Sequence, residues 1–532
     1  MPTVAQLLAH KLYHAGVRTV FGLPGGETVE MLDALRERGI AFVLVKNESS
    51  AVYMADVTAR LTGTSGVALT TLGPGATNAY AGIAHAYLDR APVLLITAQT
   101  DSRRLYPRTH QVLDLQAVFT PVTKFTAELD ALSAPQQIAY ALAQLTTGRP
   151  GPVHLGVCNR VAAREVNTQP ETVLQSAKAD ITPHVEAIIE KMRGLQRPVI
   201  VAGLGLGREG PYTELKALAE ALQAPVIDLP KAKGALPARH PLFAGTIGLT
   251  IYDPAYTVLG EADFVLAVGF DVVELVKDWG GMAAPLVWIA PWPNVDPYVP
   301  AVYEAVGEMG PLLGALADRV QPDTGADWGA ARVAEFRAEQ AAAPLPEAEP
   351  GRILPQDVLR VIRENTPDDI TITTDVGSHK IFTALNWQAQ HPNRYFVSNG
   401  LSAMGFGVTA AIAAAKVTGE PAICITGDAG LAMVVGELSL AVEMNLPVIV
   451  VVMNDSALDL IRSAQHRRSK ATFGTTFTNP DYSLIAAGYG LAYHRVDSVA
   501  SCEGAIQSAM SAGAPCLIDV QIDPVGYPTT VR

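Results

Sequence analysis

Residues 421–456 read PAICITGDAGLAMVVGELSLAVEMNLPVIVVVMNDS. An apolar run over 422–426 stops at Gly427-Asp428-Ala429-Gly430, a helical segment follows, and a second apolar run over 448–453 stops at Asn454-Asp455-Ser456. Strand, turn, helix, strand is the pattern of a parallel βαβ unit, whose two strands finish on the same edge of a sheet. Asp428 and Asp455, 27 positions apart, therefore reach one edge together. Two readings satisfy this spacing. Carboxylates next to glycine at strand ends are ordinary turn and helix-capping chemistry. Two hard oxygen ligands beside small residues, whose backbone N–H groups can approach a phosphate, also suit a Mg²⁺-diphosphate site.

The alternation continues outward from this stretch. From Ile353 onward it predicts a strand at 370–374, a helix at 379–387, a strand at 395–397 and a helix at 404–416. Residues 1–165 carry the same layout: helix 4–15, strand 18–21, helix 27–37, strand 41–45, helix 49–62, strand 66–70, helix 76–88, strand 92–97 and a last strand, VHLGV, at 153–157. Between them, PVIVAGLG opens a further α/β region at Pro198, with strands near 225–228, 263–268 and 286–289 and a helix at 310–319. The polar, proline-containing stretch 167–182 reads as a linker, and 322–352 as a connecting helix followed by a solvated linker. The expected fold class is α/β: three doubly wound parallel-sheet domains, at 1–165, 183–321 and 353–532.

With 532 residues, 49% hydrophobic and 17% charged, the chain is globular with large buried sheets. A formal net charge of −13 speaks against nucleic-acid binding, which needs clustered Lys and Arg. No apolar run reaches the ~18 residues of a membrane span. The N-terminal MPTVAQLLAHKLYHAG reads as an amphipathic helix rather than a signal peptide, so a cytoplasmic protein is expected. Cys158, Cys424, Cys502 and Cys516 form no CxxC pair and read as small core hydrophobes.

The first domain carries a carboxylate of its own. The strand AFVLV runs into Lys46-Asn47-Glu48-Ser49-Ser50, and Glu48 opens a helix, where the macrodipole alone would favour an acidic residue. The strand GVALT ends in Gly73-Pro74-Gly75-Ala76-Thr77-Asn78, and RTVF ends in Gly22-Leu23-Pro24-Gly25-Gly26-Glu27. Three strand ends converge on the edge where open α/β sheets place ligands.

Taken together, FGLPGG, the helix-opening Glu48, TLGPGATNAYAGIAHAYLDRAPVLLITAQ, HQVLDLQAVFTPVTK, SAMGFG and GDA…NDS resemble, in this order, thiamine-diphosphate-dependent enzymes of the acetolactate synthase, pyruvate oxidase and benzaldehyde lyase group. The resemblance spans essentially the whole chain. It implies a pyrimidine-binding first domain, a central domain and a diphosphate-binding third domain, with each active site shared between the subunits of a homodimer or homotetramer. Glu48 falls on the family's catalytic glutamate, which bonds the cofactor's pyrimidine ring and needs a dry pocket to share a proton with a weak base. Gly25, Gly26, Pro74 and Asn78 fall in the turns beside it. Asp428 and Asp455 fall on the metal's side chains and Ala457 on the residue lending a backbone carbonyl, with Gly427, Ala429 and Gly430 in the diphosphate turn. Gly377, Ser378 and His379 match the loop over the diphosphate oxygens, although His379 also reads as a plain helix-opening residue. Met404, after Ser402, matches the bulky residue that holds the cofactor bent, and by spacing alone is core filler. Gln111 matches the active-site glutamine. His110 stands where the synthases carry Phe, as a proton shuttle or a polar wall.

The chain departs from a true acetolactate synthase at several places. Asp455 replaces the usual Asn, which adds negative charge at the metal. The synthases' acceptor-binding Arg is replaced by Val273 in Gly269-Phe270-Asp271-Val272-Val273-Glu274-Leu275, so a bidentate carboxylate clamp is missing. The same stretch contacts FAD in flavin-containing relatives, and FAD is not expected here. Gly203-Leu204-Gly205-Leu206-Gly207 reads as a tight turn rather than a dinucleotide fingerprint. A pocket Trp of the synthases corresponds to Ala464, which with Leu458 is assigned to a widened substrate pocket. The His-His pair of many decarboxylases is absent.

The resemblance thus implies a thiamine-diphosphate- and Mg²⁺-dependent carboligase or lyase that takes 2-ketoacids and aldehydes. Carboligation leads, on Gln111 and PVTK. Simple 2-ketoacid decarboxylation and hydroxyketone cleavage are the alternatives, and a decayed nucleotide-binding relative is a further one, motivated by Asp455 and Val273.

Overall fold

The computed structural model describes residues 1–101, 110–167, 180–275, 279, 283–295, 299–320 and 325–527. Three six-stranded sheets run through it, parallel at every pairing. The first comprises β1 (Thr19–Leu23), β2 (Ala41–Leu44), β3 (Gly66–Thr70), β4 (Val93–Ala98), β5 (Phe125–Glu128) and β6 (Val153–Val157), in the order β2-β1-β3-β4-β6-β5. β3, β4 and β6 are buried at every position. Helices cover both faces of such a sheet, so its inner strands read as unbroken apolar runs rather than as alternation.

The second sheet comprises β7 (Pro198–Ala202), β8 (Val226–Asp228), β9 (Phe243–Thr246), β10 (Phe264–Val268), β11 (Leu286–Ala290) and β12 (Tyr303–Val306), ordered β12-β11-β10-β7-β8-β9. The third comprises β13 (Thr371–Thr374), β14 (Tyr395–Val397), β15 (Ala422–Gly427), β16 (Val448–Asn454), β17 (Ala492–Val496) and β18 (Cys516–Gln521), ordered β14-β13-β15-β16-β18-β17. This is the permutation of the first sheet. In both, the order reverses between the first and third strands of the sheet, and a crevice opens beyond the carboxyl ends there. Leu23 and Thr70 border that crevice in the first sheet, and Thr374 and Gly427 border it in the third. The layout that places ligand residues on these edges is thus fixed by topology.

Contacts gather the chain into two compact units. One contains 1–176, 400–420 and 432–446; the other contains 177–399, 421–431 and 447–532. The chain forms the expected α/β architecture, with differences at element ends. The helix expected over 76–88 is two, Pro74–Asn78 and Tyr80–Leu88. The helical segment after Gly427 is broken into Asp428–Val434, a 3₁₀ turn Val435–Glu437, and Leu438–Glu443. β5, β9, β12 and β17 were not foreseen in the sequence. Most of the expected linker 167–182 lies outside the described residues, as do 322–324 of the second one, which otherwise contains the helix Ala330–Ala341. All four cysteines are buried and unpaired with one another. Among the described residues no helix is long and apolar enough to cross a membrane.

Candidate active site

In the unit holding the first sheet, Glu48 is the first residue of the helix Glu48–Thr62 and is only 6% exposed. Asn47 caps this helix, its Oδ1 accepting the Ser49 N–H at 2.9 Å. The Glu48 carboxylate accepts from Nδ2 of Asn78 at 3.1 Å, so the turn after β3 and the helix after β2 meet at this one group. Gly75 permits the approach, since a Cβ there would stand 3.2 Å from Glu48 Oε1. Pro74 opens the short helix that ends at Asn78.

Gly25 and Gly26 end β1 against the same turn. A Cβ on Gly25 would lie 2.4 Å from Thr71 Oγ1. Asn159, after β6, donates to the Gly26 carbonyl at 3.1 Å. Gln111 is exposed, with a left-handed φ of 60°, and sits against Gly73, where an added Cβ would be 2.9 Å from its own. His110 beside it is exposed. Ser402, exposed with φ 55°, and the half-buried Met404 precede the helix Phe406–Thr418, whose Phe406 ring lies 5.8 Å from that of Tyr53 on the Glu48 helix.

Two supports of Glu48 escaped the sequence reading. The first is Glu437, whose carboxylate is 1% exposed and accepts the N–H groups of Lys46, at 3.1 Å, and Asn47, at 2.9 Å. It holds the corner directly before Glu48, and burial raises its pKa. Glu437→Ala leaves those donors without their acceptor and is expected to cost about 1–3 kcal/mol in urea unfolding. It should also lower kcat, because the corner carrying Glu48 loosens. The second is a fully buried network in which His85 Nε2 lies 2.9 Å from Asp56 Oδ2 and its Nδ1 lies 3.1 Å from Asp89. Arg60 Nε donates to Asp56 at 2.6 Å, and the Gly400 N–H to Asp89 at 2.6 Å. The helix of Glu48, the helix of His85 and the segment entering Ser402 and Met404 are tied by these bonds. The spacings Asp56-Arg60 and His85-Asp89, both i,i+4 inside apolar helical patterns, were the available signal.

In the other unit, Asp428 follows β15 and Asp455 follows β16, adjacent strands of one sheet. Asp428 is 1% exposed. Its Oδ2 accepts from the Ser456 N–H and from Asn479 Nδ2, both at 2.7 Å, and its Oδ1 accepts the Ala429 N–H at 2.8 Å. Burial raises its pKa against the pull of these donors. Asp455 is pushed up to about 7 by burial, then by the neighbouring charges of Asp428 and Asp459. Arg462 offsets part of this, with Nη2 at 3.1 Å from Asp455 and 2.8 Å from Asp459. The Ala457 N–H turns back to Asp455 at 3.3 Å.

Gly377 and Ser378 open the helix Ser378–Asn386, and Ser378 Oγ donates to Asp459 at 2.8 Å. His379 Nε2 accepts the Gly427 N–H at 3.1 Å, so this nitrogen carries no proton. Burial lowers the ring's pKa to about 4, against a bond to the Asp375 backbone, and the imidazole is neutral. Both glycines around it are sterically required: a Cβ on Gly377 would be 2.6 Å from the ring and one on Gly427 2.9 Å. Gly430 packs on Asp375, where a Cβ would be 2.6 Å from its carboxylate. Leu458 donates its N–H to the Thr475 carbonyl at 2.8 Å, and Ala464 is half-buried on the helix Asp459–Arg467. Asn479, Asp459 and Arg462 were not foreseen. Asn479 is 51 residues from Asp428, and no local pattern predicts that pairing.

The foreseen residues thus assemble as two clusters. Glu48, Gly25, Gly26, Pro74, Asn78, Gln111, His110, Ser402 and Met404 belong to one compact unit; Gly377, Ser378, His379, Gly427, Asp428, Ala429, Gly430, Asp455, Ala457, Leu458 and Ala464 belong to the other. The carboxylates of the second cluster, both raised by burial and Asp455 raised further by the charge of Asp428, form a donor set that suits a small divalent cation.

Family comparison finds three domains along the chain. Residues 2–118 match the thiamine pyrophosphate enzyme N-terminal TPP binding domain, 185–316 the central domain and 375–520 the C-terminal TPP binding domain. Fold and site together define a thiamine pyrophosphate enzyme. A probable acetolactate synthase large subunit of Methanocaldococcus jannaschii is 30% identical over 98% of this chain and 92% of its own length. The acetolactate synthase isozyme 3 large subunit of Escherichia coli is 30% identical over 99% and 96%. An acetolactate synthase of Bacillus subtilis is 27% identical over 98% and 93%. The chain belongs to the acetolactate synthase family of these enzymes.

Proposed function

We propose that this enzyme joins 2-ketoacids in an acetolactate synthase-like carboligation that depends on Mg²⁺, with residues 1–165 holding the pyrimidine of thiamine diphosphate and 353–532 its diphosphate. The observation that carries this reading is Asp428, buried at the reversal point of the third sheet and held by three donors beside a second buried carboxylate. A Mg²⁺ ion bound by Asp428, Asp455 and the Ala457 carbonyl would offset the burial that raises both carboxylates and the Asp428 charge that adds to it at Asp455. The resident cofactor, when bound, supplies a nucleophilic carbon and the electron sink that decarboxylation requires.

The chain's own residues then have these tasks. Glu48, dry and fixed by Asn78, exchanges a proton with the cofactor's pyrimidine nitrogen. Gly377, Ser378 and His379, with Gly427, Ala429 and Gly430, border the diphosphate, where neutral His379 adds no charge. Gly25, Gly26, Pro74 and Ser402 shape the pyrimidine's surroundings, and Met404 supports the cofactor's bend. Gln111, with His110, meets the substrate, and Leu458 and Ala464 line its pocket.

The two clusters fall in different units of the chain, which supports a site completed between subunits of a homodimer or homotetramer. The large-subunit names of the M. jannaschii and E. coli relatives support an assembly of more than one chain. A cytoplasmic location fits such an enzyme.

Simple decarboxylation is the second reading, favoured by Val273, which packs against the apolar core beside the second sheet and offers no cation to an acceptor carboxylate. Mass spectrometry of the products formed from pyruvate and larger 2-ketoacids, with and without aldehydes, separates the two. Acetolactate-type ligation products are expected. Release of CO₂ with free aldehyde alone would transfer the assignment to a decarboxylase, and no turnover of any 2-ketoacid would overturn both.

A further inference from the structure

The second sheet has the strand order in which dinucleotides bind at the reversal point, here between β7 and β10. The turn Gly203-Leu204-Gly205-Leu206-Gly207 follows β7 and Gly269 follows β10. A dinucleotide held there needs backbone N–H groups of the turn to receive its phosphates. In this chain those groups already have acceptors. The Gly203 N–H donates to the Val268 carbonyl at 2.9 Å and the Gly205 N–H to the Gly269 carbonyl at 2.6 Å. Leu206 and Gly207 close the 3₁₀ turn on Gly203 and Leu204, both at 3.1 Å. The remaining donor, the Leu204 N–H, is taken by Oε2 of Glu274 at 2.7 Å.

Glu274 is itself fully buried and held from three sides. Its Oε1 accepts the Lys231 N–H at 3.2 Å, and its backbone carbonyl accepts Asn399 Nδ2 at 3.1 Å. Packing leaves the turn no slack: a Cβ on Gly203 would lie 2.7 Å from the Gly269 carbonyl oxygen and 2.9 Å from Glu274 Oε2. Beside the turn lies a crevice of about 670 Å³ walled by Glu209, Glu214, Glu308, Pro291 and Gly307, with no Lys or Arg among its described lining residues. That volume is ample for a ligand. Charge and the engaged donors, not size, oppose a polyanion.

The geometry points to Glu274 as an internal stand-in for a nucleotide phosphate, which leaves the central domain with a dinucleotide-binding topology that takes neither FAD nor a free nucleoside diphosphate. This site is separate from the thiamine diphosphate site, so its test does not depend on the proposed reaction.

Equilibrium dialysis of the full chain against FAD and, separately, ADP, each at about 100 µM, where a site of ordinary cofactor affinity fills, is the direct experiment. The wild type is expected to retain neither, whether or not thiamine diphosphate is present. Either ligand bound at one per chain would overturn the proposal. A second measurement uses Glu274→Gln, which keeps an acceptor for the Leu204 N–H. Burial pushes Glu274 from its ordinary 4.5 up to about 8, against the opposing pull of the two N–H groups and the Lys231 charge and with a smaller push from Asp271. The unfolded chain loses this proton above about 4.5 and the folded chain only above about 8, so the stability held through it is complete at low pH and lost as pH rises between those values. The wild-type Tm should therefore fall relative to Glu274→Gln between about pH 5 and 8.

Discussion

Glu48→Gln is expected to lower kcat by about 10²–10⁴-fold, the range that a positioned proton-transfer group contributes. The substitution is nearly isosteric. Its amide oxygen can still accept from Asn78 Nδ2, now at 3.1 Å from the carboxylate, so the turn after β3 stays joined to the helix. What is lost is the ionisable group and a negative charge at a helix N-terminus, and the latter is worth about 0.3–1 kcal/mol. Thiamine diphosphate affinity should change far less than turnover, and Tm by only a few degrees. A Glu48→Gln enzyme with turnover within about threefold of wild type, on a scale where general acid-base catalysis supplies at least ~10²-fold, would remove Glu48 from the chemistry.

Asp428→Asn is expected to act on binding instead. Even outer partners of metal ligands are worth about 10–100-fold in affinity, so loss of a direct ligand's charge should weaken Mg²⁺-dependent cofactor binding by more than ~10²-fold. The fold should tolerate the change. Asn keeps an oxygen for the Ser456 N–H and Asn479, and removing a buried charge that raises the pKa of Asp455 relieves repulsion. Binding is read by calorimetry and the fold by circular dichroism. Retained affinity would return Asp428 to the role of a turn residue. Glu48→Gln and Asp428→Asn thus separate the two clusters by their signatures, one in kcat and one in cofactor affinity.

Much of this arrangement was legible because buried parallel strands announce themselves. β3, β4, β6, β15 and β16 are buried along their whole length and stand in the sequence as apolar runs, of which β15 stops at Gly427-Asp428 and β16 at Asn454-Asp455. Once those runs are parallel, their carboxyl ends share an edge, and Asp428 and Asp455 could be paired before any coordinates. The edge strands β5, β9, β12 and β17 were not legible, although the edge strands β2 and β14 were. β12 (YEAV) and β17 (AYHRV) each bury a single residue, and β5 (FTAE) likewise, so they carry neither the apolar run of an inner strand nor a clean alternation. Their pairing is imposed by the neighbour that supplies the hydrogen bonds.

The supports of the site were hidden for a different reason. Glu437 reaches Lys46 and Asn47 across almost 400 positions, and the separation |i−j| is 391 for Lys46. Asn479 reaches Asp428 across 51. Side chains of this kind answer to the tertiary position of backbone donors, which no local spacing encodes. Glu274 belongs with them. Its glycine-rich partner turn reads in sequence as a tight turn, and only the bond to the Leu204 N–H shows that the turn's last donor is spent inside the protein.

The central proposal is that Asp428 and Asp455 anchor the Mg²⁺ and the diphosphate of the cofactor. Calorimetric titration of the wild-type protein with thiamine diphosphate, in Mg²⁺ and again in excess chelator, tests it most directly. The account predicts one cofactor per chain with Mg²⁺ present and no measurable binding once the metal is removed. Binding of equal strength with and without Mg²⁺ would contradict it.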